Sequence, residues 1–296
     1  LLGHGSFMRE SRLSKVYLCS FASPDLKLSV NRFIKQSHEL KFYDEVKVFG
    51  WKDLSLEKKK QIQSIFNKGQ KRLYGYGSWK AEIILSYLDK IPENSILQYS
   101  DIGCVFNANG RERLKEYIQI TDKKNILAFK YSDPKLNFKN EYKFQIYFEN
   151  QYTKADAWEY FNIDNNSDIL KTEQIWSGTM FFKNNIYTKE ILNNWKKALN
   201  VTNLIDDTQS MKKNHPNFIE HRHDQSILSL IFKKENIFCL SVSECEWVEL
   251  DNKRIWSHLK NYPILAKRDK KFNIIKRFIN RQKRNVARFL KKWRDG

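Results

Sequence analysis

Short apolar runs and longer amphipathic stretches alternate along most of the chain. Val16–Phe21 (VYLCSF) and Glu45–Phe49 (EVKVF) have the length and composition of strands. Between them, residues 25–37 repeat apolar positions at intervals of three and four, which predicts a helix. Further strands are predicted at 95–99, 126–129, 174–182 and 237–242, and further helices at 54–66, 79–88, 188–199 and 223–232.

This order of elements predicts an α/β fold with a mostly parallel, Rossmann-like sheet flanked by helices on both faces. Ligands of such sheets bind outside the carboxyl ends of the strands, so the loops that follow strands are the first places to search for a site. We expect one catalytic domain over residues 8–266. Residues 1–7 precede Met8 and are expected to derive from a vector, and residues 267–296 form a separate tail.

The tail is strongly basic and amphipathic. Residues 267–296 hold 13 Lys and Arg against two Asp, and so carry 11 of the 19 net positive charges. Their apolar residues, from Phe272 to Trp293, fall on one helical face. This pattern predicts an amphipathic helix that lies on an anionic membrane surface. A helix packed on the domain, with a solvated charged face, is the alternative.

Several other classes of protein have little support. No apolar stretch approaches the roughly 20 residues that span a bilayer, and the glycine motifs of P-loop and dinucleotide-binding proteins are absent. The four cysteines lack CxxC spacing, which favours buried thiols over a zinc site. We expect no nucleic-acid partner, since no zinc knuckle, RNP-like motif or helix-turn-helix is found, but the charge keeps that class as an alternative.

Two segments carry residues suited to chemistry. Asp101 follows the predicted strand 95–99 and precedes Gly103; a carboxylate there would hold Mg²⁺ or Mn²⁺ against a diphosphate, or would simply belong to a turn. Asp224 and Gln225 follow the run HRH and open a predicted helix. Such crowding of titratable groups is typical of a polar pocket, although an acidic residue at a helix start also serves as a cap.

Together, the WK pair before a helix, the strand that ends in DxG and the later RHDQSIL resemble bacterial GT-A glycosyltransferases of capsule or lipopolysaccharide synthesis. The resemblance covers about residues 16–268. It implies a GT-A-like fold and a nucleotide-sugar donor, for which UDP is chosen by analogy. In that family the aspartate at the position of Asp101 reaches the donor's metal and ribose. Lys80, in the WK pair, would stabilise the departing diphosphate or be a solvated helix charge.

The resemblance also assigns residues to the donor sugar. The DQ pair is similar to the DQD segment of family 8 retaining galactosyltransferases, which places Asp224 and Gln225 beside the sugar as catalytic residues. WSGTMFF resembles the small-residue strand that lines the sugar pocket, with Ser177 and Gly178 at the matching positions.

The nucleotide would lie at the end of the first predicted strand. Ser20 and Phe21 stand there, at the start of the loop where such folds usually hold the base.

An acceptor side and a metal site follow from the same resemblance. Lys154 and Asp156, in TKAD, match a segment near the acceptor. A helix-capping box from Thr153 to Asp156 is the alternative interpretation of the same residues. The metal ligands would be Asp101 and the late His258, with Mn²⁺ or Mg²⁺ as cofactor. Gly103 stands where a full DxD motif has its second carboxylate.

Two mechanisms stay open at this point. An inverting enzyme would use Asp224 as the base for the acceptor hydroxyl, whereas a retaining enzyme would place Asp224 or Gln225 against the anomeric carbon. The similarity to DQD favours retention. We expect a surface glycan or lipid-linked acceptor and a peripheral position in the cytoplasm, at the inner face of the cell membrane. A GT-A-like domain that has lost activity and acts as an assembly partner is a further alternative.

Overall fold

The strands of the central sheet come from most of the chain. The computed structural model describes residues 14–132 and 142–268. Its strands are β1 (Val16–Phe21), β2 (Glu45–Phe49), β3 (Ile96–Ser100), β4 (Val105–Phe106), β5 (Ile126–Lys130), β6 (Ile175–Lys183), β7 (Cys239–Ser241), β8 (Val248–Leu250), β9 (Lys253–Ile255) and β10 (Ile264–Leu265). Six of them form one sheet in the order β2-β1-β3-β6-β5-β7, while β4 pairs with β10 and β8 with β9.

Only β6 runs against the direction of the other strands in this six-stranded sheet. It is antiparallel to both β3 and β5, whereas the remaining neighbours pair in parallel. The predicted mostly parallel α/β sheet is therefore confirmed. The antiparallel strand brings the amino end of β6 to the edge where the other strands have their carboxyl ends.

Helices cover both faces of the sheet. They are α1 (Lys27–Glu39), α2 (Leu56–Asn67), α3 (Leu73–Tyr76), α4 (Lys80–Leu88), α5 (Arg111–Lys124), α6 (Glu149–Tyr152), α7 (Ala155–Tyr160), α8 (Ile186–Leu199), α9 (Thr202–Ile205) and α10 (Asp224–Lys234). Short 3₁₀ turns stand at Pro24–Leu26, Trp51–Asp53, Ala108–Gly110, Asp168–Lys171, Val242–Glu244 and Ser257–Leu259.

Two apolar cores result from the alternation of side chains along the strands. In β1, Leu18 belongs to the core beneath α1 and α5, while its neighbour Cys19 belongs to the core beneath α4, α8 and α10. Trp195 of α8 is completely buried in the second of these cores. Burial of a side chain of that size contributes about 3 kcal/mol, so this layer fixes α8 and α10 firmly against the sheet.

Most predicted elements are found within a few residues of their predicted bounds. The structure adds α5, which was not predicted, and shortens the last predicted strand to Cys239–Ser241. The predicted vector segment 1–7 and the predicted tail helix lie outside the described residues. No helix within the described ranges is long and apolar enough to cross a membrane.

Candidate functional site

A cavity of about 740 Å³ opens at the carboxyl edge of the sheet. Strand β1 ends there at Phe21, and Asp101 follows β3. The reversed β6 brings Ser177 to the same edge, where the Asp101 amide donates to the carbonyl of Gly178 at 2.8 Å. Helix α10 also begins at this edge, with Asp224. Segments that are far apart in sequence therefore meet around one space.

Lys80 is buried on the floor of the cavity between two carboxylates. Its Nζ lies 2.7 Å from Asp224 Oδ2 and 3.2 Å from Asp101 Oδ1. It also donates to the carbonyl and the hydroxyl of Ser177, at 3.2 and 3.3 Å. Burial lowers the pKa of Lys80, but the two carboxylates outweigh that effect and raise the pKa above its ordinary value. The floor is therefore a charged centre with one buried ammonium group.

Hydroxyl groups hold the two carboxylates in place. The Ser177 hydroxyl donates to Asp224 Oδ2 at 2.8 Å, and the Tyr99 hydroxyl donates to Asp101 Oδ1 at 2.6 Å. The indole of Trp195 donates to the Asp224 carbonyl at 3.2 Å. Hydrogen bonds to carboxylates stabilise their charged form and fix their orientation.

The carboxylates of this floor do not fit Mn²⁺ or Mg²⁺ as they stand. The ammonium of Lys80 occupies the space between Asp101 and Asp224 that a shared cation would need. His258 is not part of the cavity lining; its Nε2 pairs instead with the carbonyl of Ser243 at 3.1 Å. Across residues 14–132 and 142–268, no group of three His, Cys, Asp or Glu side chains is arranged to hold a metal ion.

One end of the cavity is aromatic. Phe21 and Trp79 stack with ring centroids 4.0 Å apart and an interplanar angle of 21°. Tyr74 lies beside them, with its ring centroid 5.8 Å from that of Phe21. At the same wall the Ser23 hydroxyl donates to Asp25 Oδ1 at 2.5 Å. A flat apolar wall beside a hydroxyl and a carboxylate suits a heterocyclic base, which stacks on one face and forms hydrogen bonds at its edge.

The wall between the aromatic end and the floor contains strained backbone. Residues 73–77 all have positive φ angles, from 48° to 89°. A Cβ added at Gly77 would lie 2.7 Å from Asp224 Oδ1, so no larger residue fits there without displacing the carboxylate. His223, also at positive φ (54°), packs its ring 4.6 Å from that of Tyr76. Such strain persists only where the surrounding packing fixes it, and here it places Asp224.

Gln225 is held from behind by a buried polar network. Its Nε2 donates to Gln174 Oε1 at 2.6 Å, and Gln174 Nε2 donates to Glu149 Oε1 at 3.2 Å. Glu149 is completely buried and accepts from Lys233 Nζ at 2.6 Å. A satisfied network of this kind is rigid, so the Gln225 amide has a fixed orientation at the cavity wall.

Arg222 and Arg268 are two of the three arginines that line the cavity. The guanidinium of Arg222 lies over the rings of Tyr147 and Tyr152, 3.9 and 4.1 Å from their centroids. The side chain of Arg268 is 64% exposed, and its Nη2 lies 3.4 Å from Glu246 Oε1. Neither arginine was predicted as a site residue. Arg222 stands inside the RHDQ segment, whereas Arg268 lies beside the basic tail and carries no signal of its own.

The structure brings most of the predicted donor-site residues together. The residues that line the cavity are Phe21, Lys80, Asp101, Gly103, Ser177, Asp224 and Gln225. Two others lie just behind its wall: Ser20 is completely buried in β1, and Gly178 contributes the carbonyl that anchors the loop at Asp101. Sequence analysis missed the lining residues Ser23, Asp25, Tyr74, Trp79 and Trp176.

The predicted acceptor-side pair does not line the cavity. Lys154 is buried, with Nζ 3.3 Å from Asp206 Oδ1. Asp156 accepts from the amides of Met211 and Lys212, each at 3.0 Å. Burial raises the pKa of Asp156, but these amide donors outweigh it and leave the pKa below its ordinary value. The pair anchors the loop that follows α9, and the alternative of a capping box is wrong, because Lys154 caps α7 without a side-chain bond.

The similarities between this chain and known proteins are distant. No family model matches the chain, and no curated protein matches it. Similar solved structures include a glycosyltransferase involved in glycosylation of the major capsid of PBCV-1 (TM-score 0.46, 11% identity, covering 85% of this chain and 91% of that one). Mouse xyloside xylosyltransferase 1 gives a TM-score of 0.40 at 11% identity, covering 78% of this chain and 87% of that one. Mannose-6-phosphate isomerase from Helicobacter pylori gives a TM-score of 0.34 at 12% identity, covering 88% of this chain and 99% of that one.

These similarities are too distant to assign a function. The fold class stands on the sheet order and strand directions described above, and the function has to be argued from the cavity itself.

Proposed function

We propose that this chain is a glycosyltransferase that moves a sugar from a nucleotide-sugar donor to a glycan or lipid-linked acceptor. The observation that carries the proposal is the buried Lys80 ammonium held between Asp101 and Asp224 on the floor of a cavity that also has an aromatic end. A nucleotide sugar has a flat base, a charged diphosphate and a polar sugar. The cavity offers a matching surface for each of these parts.

The donor would lie along the cavity from the aromatic end to the start of α10. The base stacks against Phe21 and Trp79, and the sugar reaches Ser177 and Gln225, whose polar groups bind its hydroxyls. A cavity of about 740 Å³ has the size of a site for such a ligand.

The role that we assign to Asp224 is stabilisation of the reacting sugar. In the transfer, the bond between the anomeric carbon and the diphosphate oxygen breaks, and the diphosphate leaves with the electron pair. The acceptor oxygen then bonds to the anomeric carbon, and its proton passes to an oxygen of the departing diphosphate. Positive charge that develops on the sugar would be stabilised by the Asp224 carboxylate, and negative charge on the leaving group by cationic side chains.

The packing of Asp224 favours retention over inversion. Its Oδ2 already accepts from Lys80 and Ser177, and its Oδ1 faces Gly77 closely enough to exclude a Cβ. A general base needs an oxygen open to the acceptor hydroxyl. A carboxylate enclosed in this way is better suited to electrostatic stabilisation on the donor face. UDP is the donor nucleotide that we propose, by analogy alone.

The acceptor and the location are part of the same proposal. A lipid-linked acceptor of capsule or lipopolysaccharide synthesis, at the inner face of the cell membrane, would agree with the basic amphipathic pattern of residues 269–296. Those residues lie outside the described ranges, so the support for this location is the sequence pattern.

The test is donor cleavage by the purified full chain. UDP-, GDP-, dTDP- and CMP-sugars are incubated with the protein, and the released nucleotide and sugar are quantified, with water or a simple glycoside as acceptor. We expect turnover of one nucleotide class. Asp224→Asn should lower it about 100-fold or more, because removal of one electrostatic group of an active site costs roughly that much. NMR of the product's anomeric proton then distinguishes retention from inversion.

A matched control uses another ion-paired aspartate. Asp89 lies outside the cavity lining and accepts from Lys189 at 2.8 Å, so Asp89→Asn should keep full turnover. Equal turnover in the wild type and in Asp224→Asn would contradict the catalytic assignment. Binding of a nucleotide sugar without any turnover would favour the inactive assembly partner.

A further inference from the structure

Two arginines and a buried lysine supply positive charge where the donor's diphosphate would lie. Arg222 and Arg268 line the cavity with Asp101 and Lys80. Burial lowers the pKa of Arg268, but Glu246 and, more weakly, Asp101 raise it above its ordinary value. The inference below rests on the proposed function and concerns the same site.

The two guanidinium groups belong to residues that line the same cavity. Burial raises the pKa of Glu246, and the nearby charges of Arg268 and Arg222 both counteract this rise. Arg222 is only 19% exposed, packs over two tyrosine rings and lies 3.6 Å from Glu220 Oε1, while Arg268 is 64% exposed and has Glu246 as its carboxylate partner. One guanidinium is therefore pre-positioned and the other remains accessible to a ligand.

Arg72, the third arginine of the cavity lining, has two carboxylate partners. Arg72 lies 3.4 Å from both Asp207 and Glu220. Arg222 and Arg268 each have one carboxylate partner, Glu220 at 3.6 Å and Glu246 at 3.4 Å, and so keep more of their N–H donors for an anion than Arg72 does. Guanidinium groups bind phosphate oxygens through paired N–H donors, a geometry that suits a diphosphate.

We propose that the diphosphate of the donor binds to the guanidinium groups of Arg222 and Arg268 beside the Lys80 ammonium, and that this binding requires no divalent metal ion. Lys80 already occupies the space between Asp101 and Asp224, so a metal ion there would have to displace a buried ammonium at 2.7 and 3.2 Å from the two carboxylates. The cationic groups of the chain itself stabilise the departing diphosphate.

The experiment is calorimetric titration of the full chain with UDP and with GDP in EDTA, repeated with Mn²⁺. Uridine and guanosine are titrated in parallel, because they contain the base without the phosphates. We expect one diphosphate to bind in EDTA, with a Kd that Mn²⁺ changes by less than about twofold. Arg268→Gln and Arg222→Gln should each weaken that diphosphate about tenfold and leave the matching nucleoside unchanged, since one charge-assisted contact is lost.

Arg254→Gln is the matched control. Its guanidinium also lies over an aromatic ring, 4.3 Å from the centroid of Trp247, but it is outside the cavity lining. It should bind the diphosphate like the wild type. Because Arg268 is largely exposed, Arg268→Gln carries the test even if Arg222→Gln fails to fold.

Two results would overturn the inference, and they differ in what else they affect. If a diphosphate binds only with Mn²⁺, or if both variants bind it like the wild type, the inference fails and the proposed function stands. If no nucleotide, nucleoside or nucleotide sugar binds under either condition, the proposed function fails together with it.

Discussion

Lys80 and Lys58 are both buried lysines, yet their surroundings are opposite. Lys80 lies at 2.7 and 3.2 Å from two carboxylates at the cavity floor. Lys58, in α2, donates to the neutral oxygens of Gln61 and Asn200, each at 2.7 Å. Burial lowers the pKa of Lys58 to about 8, whereas the pKa of Lys80 is raised.

The comparison shows that burial of a charged group does not by itself mark a functional site. In the α2 region burial costs stability that neutral partners only partly offset. At the cavity floor the same cost is offset by two negative charges, which fix the position of the ammonium. The charges of the partners decide which of these roles a buried lysine has.

The largest expected effect is that of Lys80→Met. Two carboxylates would lose their shared cation, and breaking a buried ion pair by removing one partner costs about 3–5 kcal/mol. Because Asp101 is half-exposed, the lower part of that range is expected. Donor turnover should fall as well. Urea unfolding and the donor-cleavage assay measure the two effects, and a variant as stable as the wild type would contradict the ion-pair assignment.

Lys58→Met should have the opposite sign and a smaller size. The folded-state pKa of Lys58, about 8, is below its ordinary value of 10.5, so the folded state binds the Lys58 proton more weakly than the unfolded state does. Stability should therefore rise as the pH increases from about 8 to 10.5. At pH 7 the variant should be more stable by about 2 kcal/mol.

The gain from Lys58→Met should vanish above pH 10.5, where the wild-type lysine is neutral in both states. Urea unfolding at pH 7 and at pH 10.5 measures this difference, and donor turnover at pH 7 should stay unchanged because α2 is not part of the floor. A destabilised variant at pH 7 would show that the hydrogen bonds to Gln61 and Asn200 outweigh the cost of burial.

The smallest effect per residue and per pH unit is expected from the buried histidines beside Asp224. Burial is the main cause that lowers the pKa of His221 and of His223 below the ordinary value of 6.5, and nearby cations add to it. Because the histidines bind protons more strongly in the unfolded state than in the folded state, stability should be lost as the pH falls below 6.5.

The expected loss is about 1 kcal/mol per histidine for each pH unit below that value. Thermal unfolding from pH 7.5 to 5.0 follows this loss, and His221→Gln should reduce its slope. The matching substitution His38→Gln is a suitable control because His38 lies on α1, away from the cavity lining. An equal slope in His221→Gln and the wild type would mean that other groups cause the acid sensitivity.

The sheet was predictable because its strands are short apolar runs separated by amphipathic helices. Val16–Phe21 is buried at every position, and buried strands give a continuous apolar signal. Helix α5 was missed because its sequence, RERLKEYIQITDKK, is dominated by charged residues. Its core contact depends on a narrow stripe that includes Leu114, Tyr117 and Ile118, which is visible only when helical spacing is examined closely.

The candidate site was predictable where local position determines the role of a residue. Asp101 ends a strand and Asp224 starts a helix, so both were expected at one edge of the sheet. The position of Lys80 between them depends on contacts across 97 and 144 residues. His258 was assigned from its resemblance to a distant motif alone. Lys154 was assigned from a match over a few residues, and no local sequence pattern indicates that its partner is Asp206.

The reversed direction of β6 has a consequence for how the protein acquires its site. The cavity edge joins Asp101, Ser177 and Asp224, and these meet only after β6 has paired with β3 across a long loop. Closing long loops slows folding, and such contacts form late. The cavity edge is therefore a property of the completed sheet. A nascent chain that has not yet added α10 would lack Asp224 and so could not form the charged floor.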